Sequence, residues 1–155
     1  MDNLAWCKKQ SKGIKLIEPN DNVSNEYFKS AEESLKVLHA MKDTHSKMWL
    51  ATTKYYFEYL AVYSVLIKLG VKCEIHECTI ALVRILEGKG IFRMGTYDLL
   101  VGDKDLRIDN QYYLKNRPVT LDFQELSDFL VAIKVTLDNI DRKKIDEIRK
   151  LVSSL

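Results

Sequence analysis

Between Ser46 and Gly70 the chain places Trp49, Thr53, Tyr56, Leu60, Tyr63 and Ile67 at steps of four and three, the spacing that sets residues on one stripe of an α-helix. Tyr55, Phe57 and Tyr59 fall off that stripe, so aromatics surround the segment. The pattern predicts a central helix running roughly from Ser46 to Leu69. Gly70 then supplies a residue free to adopt the left-handed backbone that closes a helix. A preceding helix is predicted from Ser24, with Ser24 as its cap and Glu26 near the positive end of its dipole. Tyr27, Ala31, Leu35 and Leu38 form its buried stripe, widened by Phe28 and Met41, and Asp43 and Thr44 mark the turn that follows.

A third helix is expected from about Glu74 to Leu86, stopped by Gly88 and Gly90. From Ile91 to Pro118 the period weakens, and a short helix from about Asp103 to Leu114 fits best. Thr120 or Asp122 begins a strong helix, with Asp122 and Glu125 in capping-box spacing and Phe123, Leu126, Leu130, Ile133, Leu137 and Ile140 at heptad-like steps. Asp141 caps a last helix carrying Ile145, Ile148 and Val152. Residues 1–23, with Trp6 and the apolar run Ile14 to Ile17, read as an irregular lead-in. The fold class expected is all-α: one domain over residues 1–155, an antiparallel up-and-down bundle of four to five helices behind that lead-in.

Composition narrows the function more than it names it. The 155 residues suffice for one core of ordinary size. A formal net charge of +2 argues against a sequence-independent nucleic-acid binder with one concentrated basic face. Lys54, Glu58 and Lys68 interrupt the longest apolar segments, which argues against a membrane span, and the amino terminus lacks an unbroken apolar stretch; a cytoplasmic location is expected. The cysteines Cys7, Cys73 and Cys78 are odd in number, so a secreted disulfide framework is not expected, and small buried hydrophobes are the reading for Cys73 and Cys78. A zinc site from Cys73, His76 and Cys78 fails on spacing, because position 78 points away from 76 on a helix. No metal and no cofactor are expected.

The candidate chemistry centres on His76, at the start of the third helix beside Lys72, Glu74 and Glu77, where an imidazole can accept or donate a proton. Arg107 and Tyr112 share the segment Leu106-Arg107-Ile108-Asp109-Asn110-Gln111-Tyr112-Tyr113, and an arginine at a bundle cleft holds phosphate through its planar fork. The competing reading pairs Arg107 with Asp103 or Asp109 at the surface. Tyr55, Tyr56, Tyr59 and Tyr63 would stack on bases if exposed, but their helical spacing is better explained by packing. The charges from Asp141 to Lys150 alternate in sign and read as a solvated face with ion pairs.

Several of these segments together resemble the HEPN domains. They are the first helix with Tyr27-Phe28-Lys29-Ser30-Ala31-Glu32-Glu33-Ser34-Leu35, the aromatic Tyr55-Tyr56-Phe57, the ending Lys68-Leu69-Gly70, His76 opening the next helix, and the Arg107 to Tyr113 stretch. The lead-in, Trp6-Cys7 with Gly13-Ile14-Lys15-Leu16-Ile17-Glu18-Pro19-Asn20, is similar to that of a group of archaeal members. The resemblance implies an antiparallel helical bundle, frequently dimeric and often encoded beside a small nucleotidyltransferase in a toxin and antitoxin pair. It also implies, for many members, a metal-independent ribonuclease that uses an arginine followed a few residues later by a histidine. His76 matches the histidine; no arginine occurs between Ser46 and Val83, and the nearest preceding base is Lys72.

The expectation is therefore a binding or interaction module, dimeric through the second and carboxy-terminal helices, acting with a nucleotide, RNA or a nucleotidyltransferase partner. The alternative is a ribonuclease in which His76 is acid or base and Lys72 or Arg107 holds phosphate. A purely structural adaptor would keep His76 and Arg107 far apart.

Overall fold

The computed structural model describes residues 4–155, and the fold is mostly helical. Seven α-helices occur among the described residues: α1 (Leu4–Lys9), α2 (Asp21–Ala40), α3 (Lys47–Lys68), α4 (His76–Gly88), α5 (Thr96–Gln111), α6 (Phe123–Asn139) and α7 (Arg142–Ser154). That exceeds the four to five expected, because the lead-in carries α1 and the weak region carries a helix longer than its period suggests. The lead-in also supplies β1 (Lys15–Leu16), which pairs antiparallel with β2 (Val71–Lys72).

The central role read for α3 holds: fourteen of its residues are buried, and α2, α5 and α6 all pack on it. The particular stripe does not hold. Trp49 is 56% exposed and Tyr56 38%, whereas Tyr55, Phe57, Val62 and Leu66 have no exposure. A helix enclosed on several sides buries most of its circumference, so a single stripe underdescribes it. Phe57 meets Phe129 of α6 edge to face at 5.9 Å, and Tyr63 meets Tyr27 of α2 at 4.9 Å.

Caps set several boundaries. Ser46, Asp122 and Asp141 accept the backbone N–H of Trp49, Glu125 and Lys144. Helix α2 begins earlier than expected because Asn20, not Ser24, is its cap, accepting from Val23 N at 2.9 Å. Ser24 lies inside the helix, buried, and donates to the Ser64 carbonyl of α3 at 2.7 Å. Helix α5 begins at Thr96 because Glu87 of α4 reaches over its start and accepts from Gly95 N and Tyr97 N.

Besides the β1–β2 pair, further ties hold the lead-in. Cys7 and Cys78 form a disulfide, which corrects the reading of Cys78 as a buried thiol; Cys73 is free and 1% exposed. Glu74 N donates to Lys12 O at 2.8 Å. Arg149 of α7 donates to Ile17 O and, at 2.9 Å, to Gly70 O. Gly70 has φ of 75°, and a side chain there would bring its Cβ within 2.6 Å of Ile17 O, so the turn after α3 requires glycine twice over. No helix is long and apolar enough to cross a membrane among the described residues.

Candidate functional site

Helices α3, α4 and α5 meet at a cluster of rings and charges. Tyr55 projects from α3 with no exposure, and its hydroxyl lies 2.8 Å from His76 Nδ1 at the first residue of α4. The imidazole stacks on Tyr59, one turn further along α3, with centroids 4.1 Å apart and planes 9° apart. Tyr59 is itself fixed by its hydroxyl, 3.1 Å from Thr79 Oγ1. From α5, the Arg107 guanidinium sits 4.8 Å from the Tyr55 ring centroid and 5.5 Å from that of Tyr56, and Nη1 donates to the Tyr56 hydroxyl at 3.2 Å. His76 and Arg107, 31 residues apart in sequence, thus share one tyrosine ring.

Arg107 does not make the surface ion pair considered above. Asp103 is engaged by Lys54 and Asp109 by Lys115 and Arg117, and no ion pair formed among the described residues includes Arg107. Its Nε is buried without a hydrogen-bond partner. An arginine 91% buried on aromatic faces keeps its full charge with none opposite it.

That charge and the burial of the ring both act on His76. Burial holds its pKa below the ordinary 6.5, and the Arg107 cation lowers it further, against a smaller opposing pull from Glu77. Burial also raises the Tyr55 phenol well above its ordinary value, so it stays protonated. A neutral phenol and a neutral imidazole share this contact in one of two ways, with Tyr55 donating to Nδ1 and the ring proton on Nε2, or with Nδ1–H donating to the phenol oxygen. In either tautomer the ring carries one N–H and one bare nitrogen. Glu77, next along α4, is bridged by Lys104 of α5, which closes the polar seam on that side.

Compared with protein-family models, characterised proteins and solved structures, the chain has no significant match.

Two sequence candidates fall outside this cluster. Lys72 lies on β2, exposed, with Nζ 2.7 Å from Glu74; that pair raises the lysine and lowers the carboxylate, and Lys72 is absent from the charges acting on His76. Tyr112 follows the last turn of α5 and is 64% exposed, so it does not join Arg107. Conversely, Tyr55, Tyr56 and Tyr59 build the frame as well as the core. Sequence reasoning saw their packing role but had no signal for a hydrogen bond spanning 21 residues. A cleft of about 440 Å³ between α5 and α6, lined by Lys54, Arg93, Glu125 and Phe129 among others, includes neither His76 nor Arg107. No group of three or more His, Cys, Asp or Glu side chains is arranged to hold a metal among the described residues.

Proposed function

We propose that this chain is a HEPN-like helical module that binds the phosphate of a nucleotide or RNA where Arg107, His76 and Tyr56 converge. The observation that carries it is the unneutralised Arg107 guanidinium beside the His76 imidazole, which offers an Nε2–H in the tautomer where Tyr55 donates to Nδ1. A planar cationic fork and a neutral donor suit a phosphate oxygen pair, and the half-exposed Tyr56 ring offers a face on which a base stacks. The exposed Trp49 is left on α3 for a homodimer contact; a nucleotidyltransferase partner and a cytoplasmic setting belong to the same reading.

Fluorescence anisotropy with a labelled single-stranded RNA oligonucleotide and with ATP tests it. Arg107→Ala is expected to weaken binding at least about tenfold, the loss that removing one charge-assisted contact of about 1.5–3 kcal/mol produces. Lys72→Ala is expected to leave affinity within about twofold. Equal affinity for wild type and Arg107→Ala would remove the site.

The second reading, a metal-independent ribonuclease, draws support from the adjacency of His76 and Arg107. It ranks lower on proton chemistry. An acid needs imidazolium, which the depressed pKa makes scarce at neutral pH, and a base at Nε2 needs the other tautomer, with Tyr55 accepting. Incubation with RNA in chelator against His76→Ala decides it, since equal cleavage by both proteins excludes a catalytic His76.

A further inference from the structure

Three buried oxygen atoms in the seam between α3 and α5 lack a hydrogen-bond partner: both carboxyl oxygens of Glu58 and Oδ2 of Asp103. Glu58 has no exposure, and Asp103 is 8% exposed. The one cation at hand is Lys54. Its ammonium donates to Asp103 Oδ1 at 3.1 Å and lies 2.9 Å from Oδ2, so its charge is matched by Asp103 alone. An ionised Glu58 would then be a second carboxylate in a dry interface with no donor and no counter-charge, which is the most unfavourable way to bury a carboxyl group. One proton removes the unpaired charge and satisfies two of the three oxygens: as a neutral acid, Glu58 donates its O–H to Asp103 Oδ2, and only its carbonyl oxygen is left without a donor.

We propose that Glu58 and Asp103 share one proton across the α3–α5 seam, and that this hydrogen bond holds α5 in the register that sets Arg107 beside His76. Asp103 and Arg107 are four residues apart, one turn along the same face of α5, so a clamp on the first fixes the second about 6 Å away. On α3 the matching residues Lys54, Tyr55 and Glu58 also lie within one turn. Burial, Asp103 and its hydrogen bond all favour the protonated acid, opposed only by Lys54; no ionisable group of α2, α6 or β2 is among those acting on Glu58. Glu58 is thus a positioning residue for Arg107. Its positioning role rests on the phosphate-binding reading, whereas the shared proton does not.

The experiment compares full-length wild type, Glu58→Gln and Glu58→Ala. Infrared difference spectra at neutral pH are expected to contain the carbonyl stretch of a protonated carboxylic acid in wild type and to lose it in Glu58→Gln. Anisotropy with the RNA oligonucleotide is then followed upward from about pH 7, where His76 is already neutral, to the pH at which the acid band disappears from the wild-type spectrum. Wild-type affinity is expected to fall about tenfold as the shared proton is lost, while Glu58→Gln, whose amide donates to Asp103 without titrating, stays level. Glu58→Ala is expected to bind about tenfold more weakly throughout, having lost the donor. Should Glu58→Ala fail to fold, the other two proteins still decide the matter. Absence of the acid band, with RNA binding intact and sensitive to Arg107→Ala, overturns this inference and leaves the phosphate site standing. Parallel pH profiles for wild type and Glu58→Gln overturn the positioning role. If no RNA binds at any pH, the phosphate reading and the positioning role fall together, and the band alone decides the shared proton.

Discussion

Phe57 and Glu58 are consecutive residues of one helix, both with no exposure, yet they serve opposite ends. Phe57 turns toward α6 and meets the edge of Phe129; Glu58 turns toward α5 and meets Asp103 and Lys54. Burying the phenyl ring removes apolar surface from water and contributes to stability at any pH. Burying the carboxyl opposes folding unless a proton and a partner accompany it. The apolar seam is therefore where stability resides, and the polar seam is where stability is given up to hold Arg107 and His76 together.

Truncation separates the two seams most strongly. Phe57→Ala is expected to lower unfolding free energy by about 3–5 kcal/mol in denaturant titration, with the same loss at every pH. A loss that varied with pH would break the division drawn between the seams. Next in size is the disulfide that anchors the start of α4, two residues beyond His76. It joins residues 71 apart, and its reduction by dithiothreitol is expected to cost about 2–4 kcal/mol by the same measurement. Retention of RNA binding after reduction would show that α3 and α5 hold the site without α1.

Proton linkage sharpens the comparison further. The folded pKa of His76 is depressed, so its contribution is present above its unfolded value of 6.5 and is lost as pH falls through the lower folded value. For Glu58 the sign reverses. Its folded pKa is raised above 4.5, so its contribution is full below that value and is lost as pH rises toward the folded one. Glu58→Gln should therefore gain stability relative to wild type as pH rises, measured as a widening gap in thermal midpoint. The smallest effect expected is electrostatic: Arg107→Ala should raise the His76 pKa, read from its imidazole resonances, without restoring its ordinary value, because burial, the larger cause, persists.

The helices with self-contained signals were legible in the chain. Asp141 caps α7, and Ile145, Ile148 and Val152 are its buried face; Asp122 opens α6, and Ser46 opens α3. Failures occurred where a residue distant in sequence supplies the missing interaction. Glu87 caps α5 from the preceding helix, so its start at Thr96 leaves no local trace, and Ser24 looks like a cap until Ser64, 40 residues away, takes its hydroxyl. Periodicity also cannot say which neighbours a helix has. The chain alone thus leaves Arg107 open between a phosphate and a pair with Asp103 or Asp109, acids that Lys54, Lys115 and Arg117 claim in the folded chain. One clue was available: a glutamate between Phe57 and Tyr59, on a helix with aromatics all round, had nowhere to go but inside.

Arg149 gives the chain an order of completion. Its guanidinium bonds the carbonyls of Ile17 and Gly70, joining the lead-in and the turn after α3 to a helix translated after both. Before α7 is in place the Ile17 carbonyl lacks the Arg149 donor, while the Gly70 carbonyl keeps its bond from Ile17 N at 2.9 Å. Helices α2 and α3 can already pair at that stage, and the disulfide, the β1–β2 pair and the Glu74–Lys12 hydrogen bond already tie the lead-in. Arg149 thus adds the last seal to a junction that the rest of the chain has already drawn together.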